Sequence, residues 1–145
     1  MFKKLVLLVP AICFLCAAWG MAAEINYKTA DEFKIMLDSK DPVIIADIQK
    51  SNDFKMHYFF SAVETDSYPV KSDAEKAKLS KIVTLYKKSG NVIVIVGPRG
   101  GSGAKRAQAY LLEHNVPAEK IFILKGGIKG WPYKEMFIDV STGCA

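Results

Sequence analysis

Cysteine is scarce in this sequence: 145 residues contain three. Two of them, Cys13 and Cys16, fall in the first 22 residues, and Cys144 stands next to the end. Beyond residue 22 the chain therefore has no pair of cysteines to join. That excludes an internal disulfide framework and leaves the fold to rest on its core. Charge of one sign is not concentrated either. Twenty Lys and Arg against fifteen Asp and Glu give +5, and no stretch gathers the excess into a basic arm, which argues against nucleic-acid binding. Repeats, low-complexity tracts and long linkers are absent. No apolar run reaches the about 20 residues that a membrane span requires. No metal ion and no cofactor is expected.

What is present is ordinary for one globular domain. Half of the residues are hydrophobic, and ten glycines and six prolines are unremarkable numbers. The length suffices for a single core and is too short for two. Residues 1–22 stand apart. Lys3 and Lys4 make a basic start, Leu5 to Ala18 form an uncharged apolar run broken by Pro10, and Gly20-Met21-Ala22 supplies small residues at a cleavage site. This is the layout of a secretory signal peptide cut after Ala22, so a periplasmic or secreted protein without a lasting membrane span is expected. Cys13 and Cys16 follow Ile12 and Leu15, not the small residues that precede a lipid-accepting cysteine. Cleavage removes Lys3 and Lys4 and lowers the formal charge from +5 to +3. The division expected is a signal peptide over 1–22, a domain over 23–136 and a tail over 137–145.

Along the domain, strand-like and helix-like signals alternate. Residues 25–27 read as a short first strand. Thr29 and Glu32 form a capping box, which opens a helix over about 30–39 that Asp41-Pro42 ends. Ser72 and Glu75 form a second box, opening a helix to about residue 88, and a third helix spans about 104–114. Three apolar runs, 43–46, 92–96 and 121–124, are short, rich in β-branched residues and not alternating, as strands buried on both faces are. The alternation predicts an α/β fold: a mostly parallel sheet with helices on both faces.

Ligands of such sheets bind beyond the carboxyl ends of the strands. The loop after the second apolar run reads Gly97-Pro98-Arg99-Gly100-Gly101-Ser102-Gly103. Its glycines let the backbone curl and present amides inward, and the helix behind it adds free amides and a positive dipole end. That arrangement suits an anion, with Arg99 and Arg106 adding charge. The alternative is a plain glycine-rich turn. It is neither a phosphate-binding Walker loop nor a dinucleotide fingerprint, since the Gly-Lys-Ser/Thr triplet and the glycine spacing are missing.

Strand, cradle loop, helix, strand and then Lys125-Gly126-Gly127-Ile128-Lys129-Gly130-Trp131-Pro132-Tyr133 together resemble the ending of a rhodanese-like domain. The resemblance spans about residues 29–133. It implies the three-layer rhodanese-like α/β fold. Asp47 matches the aspartate of the family's Asp-x-Arg element, and His57 and Ala62 fall near its His-Ile-x-Gly-Ala segment. The stretch 67–73 is similar to an exported subgroup whose active loop reads Cys-Pro-Arg-Gly. Family members carry sulfane sulfur on that cysteine as a persulfide, a step requiring a sulfur nucleophile. Here the position holds Gly97. Gln49 replaces the family arginine, so the ion pair with Asp47 is expected to be lost, and Tyr58-Phe59-Phe60 replaces smaller residues.

Two functions follow. One is a non-catalytic module whose loop holds a small oxyanion or sulfur compound, or whose surface docks a periplasmic protein. The other is a sulfurtransferase using Cys144 as its thiol. Asp47, His57 and Trp131 are read as pocket-lining or structural, and Tyr58-Phe59-Phe60 as core or as a partner patch. The oligomeric state is left open.

Overall fold

The computed structural model describes residues 23–139. The expected signal peptide, residues 1–22, and Cys144 lie outside the described residues. In chain order the elements are β1 (Tyr27–Lys28), α1 (Ala30–Asp38), β2 (Val43–Asp47), α2 (Ser51–Met56), β3 (Tyr58–Phe59), β4 (Val63–Glu64), α3 (Asp73–Ala77), α4 (Ser80–Ser89), β5 (Val92–Val96), α5 (Ser102–Glu113), β6 (Ile121–Leu124) and β7 (Phe137–Ile138). Short 3₁₀ turns precede β6 and β7.

The three apolar runs form the centre of a five-stranded parallel sheet of order β1-β6-β5-β2-β4. Their missing alternation has a direct cause. Successive side chains of a strand point to opposite faces, and here both faces are covered. Ile44, Ala46, Ile93, Ile95, Ile121 and Ile123 enter one core cluster, closed by Leu79, Ile82 and Val83 at α4 and by Ala104, Ala107 and Leu111 of α5. Ile45, Val94, Val96 and Leu124 enter the other, closed by Phe33 of α1 with Phe59, Ile128 and Trp131. Helices on both faces of a parallel sheet make the expected α/β fold.

Local signals placed the helix starts. Thr29 caps α1 and Ser72 caps α3, each with its glutamate reaching back to close the box. The single helix expected over 72–88 is two. At the break the amides of Lys78 and Leu79 turn to Glu75 O and Lys76 O. Lys78 Nζ reaches Asp66 O (2.8 Å) and Oδ2 (2.7 Å), while Leu79 drops fully into the core. β1 sits at 27–28 instead of 25–27, and α5 begins at Ser102, so Ser102 and Gly103 belong to its first turn. β7 pairs antiparallel with β3, Tyr58 facing Ile138 and Phe59 facing Phe137. The segment expected as a tail from 137 therefore begins inside the fold.

Candidate functional site

The carboxyl ends of β2, β5 and β6 bring residues 47–50, 97–103 and 125–131 to one edge of the sheet. The second and third of these loops interlock. Ile128 N–H donates to Gly97 O (2.9 Å) and Lys129 N–H to Pro98 O (3.0 Å). This approach requires glycine. A Cβ on Gly127, at φ 59°, would lie 2.2 Å from Gly97 O and 2.7 Å from the amide nitrogens of Arg99 and Gly100. A Cβ on Gly100, at φ 65°, would lie 2.4 Å from Leu124 O.

The loop then runs into α5 with its donors unsatisfied. Gly101 caps the helix without a side chain, and the first bond into the turn is Lys105 N–H to Gly101 O (3.1 Å). The amides of residues 99–104 donate to no acceptor among the described residues. Free first-turn amides and the positive dipole end of a helix favour an anion. Gly97 is buried, and a Cβ on it would come 3.2 Å from Ile48 Cδ1 and 3.3 Å from Ile48 Cγ1. At the start of the loop, bordered by Pro98 and Arg99, lies a cleft of about 550 Å³. Lys50, Arg99 and Lys129 give it positive charge, Asp53 one carboxylate, and Met56, Tyr68 and Ile128 apolar walls.

Asp47 does not enter this cleft. It is fully buried and turns back on its own loop, its Oδ1 accepting from Gln49 N–H (2.9 Å) and its Oδ2 from Gln49 Nε2 (3.1 Å). Gln49 Nε2 also donates to His57 O (3.1 Å). As expected from Gln49, no ion pair forms here, and its hydrogen bonds leave the carboxylate without a counter-charge among the described residues. Burial pushes the Asp47 carboxyl up to about 7, against the lowering effect of the Gln49 bonds, and the Glu64 charge adds to the rise.

Arg106 corrects the sequence reading. Its Nε and Nη2 donate to Pro69 O at 3.0 and 2.7 Å, so it braces the 68–70 turn and does not face the cradle. The turn was too far away in sequence to be foreseen as its partner. Arg99 is exposed at the cleft, Pro98 is half-buried beside it, and Ser102 is exposed on the first turn of α5. His57 is exposed and stacks on Phe137 (5.5 Å, 20°) at the cleft margin. Trp131 is buried below the last loop, edge-on to Phe33 (5.8 Å) and Phe59 (4.9 Å), its Nε1 donating to Tyr133 O (2.8 Å). It packs the core and is not among the residues that line the cleft beside the loop. Of the three aromatics, Tyr58 is half-buried, Phe59 buried, and Phe60 is 77 % exposed.

Lys50, Met56, Tyr68 and Lys129 are cleft residues that the sequence did not single out. Lys129 stood inside the closing motif and Lys50 just past a strand end, which were usable signals. Tyr68 lay in the 67–73 stretch that carries part of the resemblance, and Met56 had no signal. Among the described residues no cluster of His, Cys, Asp and Glu is arranged to hold a metal, and no helix is long and apolar enough to cross a membrane.

Fold and loop geometry together define a small α/β domain with a glycine-rich anion cradle at the carboxyl edge of its sheet. The rhodanese-like domain family model matches residues 29–134, and the chain belongs to that family. No curated protein matches. Among solved structures, a rhodanese-like domain protein from Staphylococcus aureus is similar at 21 % identity and TM-score 0.60, over 79 % of this chain and 98 % of that one. The As/Sb reductase of Leishmania major is similar at 14 % identity and TM-score 0.61, over 79 % and 85 %. A yeast protein tyrosine phosphatase of the rhodanese family is similar at 16 % identity and TM-score 0.57, over 74 % and 83 %. At these identities the likeness is one of fold.

Proposed function

We propose that this chain is an exported rhodanese-like module that binds without transferring sulfur. Its 97–103 loop holds a small oxyanion or sulfur compound, free or displayed by a periplasmic partner. The observation that supports the reading is a loop whose amides at 99–104 meet no acceptor among the described residues, opened by the side-chain-free Gly97, which the resemblance aligns with the family's cysteine. The glycine removes the nucleophile that a persulfide needs. The amides keep the electrostatic trap for an anion. Arg99 and Lys129 at the cleft add attraction that salt screens. Export rests on the layout of residues 1–22, and expression with the leader intact should yield a protein that starts at Ala23.

The test has two readouts on the same sample. Thiosulfate sulfurtransferase assays should show no turnover above a heat-denatured control. Titration with sulfate and with thiosulfate, followed by amide NMR, should move the signals of residues 99–104. Robust turnover sinks the non-catalytic reading, and unmoved amides sink the anion cradle.

A further inference from the structure

The cleft before the loop is larger than any small inorganic ion requires. An oxyanion of five heavy atoms fills about two water volumes, on the order of 60 Å³, whereas the cleft holds about 550 Å³. A second depression of about 530 Å³ adjoins it and shares His57, Ile128 and Lys129. The two form one groove from Arg99 to Phe137. Lys50, Arg99, Lys129 and Lys134 stand along it against the carboxylates of Asp53 and Asp139, an excess of positive charge. Its floor is apolar, with Ile128 and Phe137 joined by Met56, one of the most exposed large hydrophobic residues of the described chain at 60 %.

Most of the charged wall is exposed, so the groove is open along its length. Small-molecule sites enclose most of their ligand, which an open groove does not do. A length of polypeptide needs no enclosure, and exposed Met, Tyr and Arg are residues that protein interfaces favour. We propose that the groove receives an extended acidic segment of a partner protein. One side-chain carboxylate sits at the Arg99 end of the groove, where the free amides of the loop begin, and a neighbouring apolar side chain rests on Met56 and Ile128. The proposal rests on the anion-cradle reading above and names the form in which the anion arrives.

The probes are a fluorescent decapeptide of Glu and Leu, its Lys and Leu counterpart, and inorganic sulfate, each titrated into the full processed chain. The Glu/Leu peptide is expected to bind at least about tenfold more tightly than the Lys/Leu peptide. Met56→Ser and Lys129→Glu should each weaken it by about tenfold. Lys87→Glu, on the exposed side of α4, should leave it unchanged. Equal affinity for the two peptides, or binding indifferent to both Met56→Ser and Lys129→Glu, overturns the groove. Sulfate shifts at 99–104 without peptide binding also overturn it while leaving the cradle standing. Groove-dependent peptide binding that moves the loop amides, with no shift from free sulfate, supports the groove and overturns only the free-oxyanion reading, and peptide binding that leaves those amides unmoved overturns the proposed seat of the carboxylate.

Discussion

Asp47 ends β2 with no exposed surface and, among the described residues, no cation beside it and only Gln49 to hydrogen-bond its carboxylate. Its proton is therefore held to about 7, well above the ordinary value of 3.8. Between those values the folded chain keeps a proton that the unfolded chain has released, so stability falls as pH rises through the window and levels above it. A shift of this size corresponds to roughly 4 kcal/mol. Glu32, Asp66 and Glu75 act the other way, their carboxyls being lowered chiefly by hydrogen bonds, and they lose their contribution only below the ordinary carboxylate range. Urea unfolding should thus find the protein less stable at pH 8 than at pH 5, and Asp47→Asn should flatten that difference. A wild-type protein equally stable at both values would contradict the buried carboxyl. At Gly97 a new side chain meets Ile48 at 3.2 Å, a tightness that Ile48 relieves by shifting a few tenths of an ångström. Gly97→Cys in a Cys144→Ala background should fold at a cost of about 1 kcal/mol, and Ile48→Val alongside it should ease the fit by removing Cδ1. After incubation with thiosulfate, intact-mass measurement should show a one-sulfur adduct on the folded variant. Its absence would mean that the loop no longer activates a thiolate.

Elements differ in how much they lean on distant partners, and the loop pair 97–100 and 124–128 leans most. Gly127→Ala drives a methyl group into Gly97 O at 2.2 Å, whereas Gly90→Ala, at the left-handed end of α4, meets nothing within 4 Å. Thermal melts should show a loss of more than about 3 kcal/mol for the first and about 1 kcal/mol for the second. Similar losses would mean that only the positive φ matters and that the loops are not interlocked. The same contrast between local and distant causes explains which elements the sequence revealed. β2, β5 and β6 were legible because eight buried Ile and Val residues alternate between two covered faces, and α1 and α3 because their caps lie three residues from their partners. α2 was not, because its first amide is capped by Asp66, fifteen residues away, through a 3.0 Å bond. β3 and β7 are two residues each, too short for any period, and their pairing joins 58 to 138.

For the whole molecule, the alternation of strands and helices was enough to fix the architecture, because right-handed parallel connections leave few ways to bury both faces. The site was legible only in part. Glycine spacing marked the cradle, but its setting depended on tertiary placement. The 68–70 turn takes Arg106 away from the cradle, and α2 carries Met56 to the groove. The free amides have one more consequence, for solvent. With no acceptor among the described residues, the N–H groups of residues 99–104 lack the protection a hydrogen bond gives against exchange with deuterium, while those of Ile128 and Lys129, bonded to Gly97 O and Pro98 O, are slowed. The edge of the sheet thus carries its own isotopic clock: the fast half slows when an anion arrives, and the slow half marks whether the loops stayed locked.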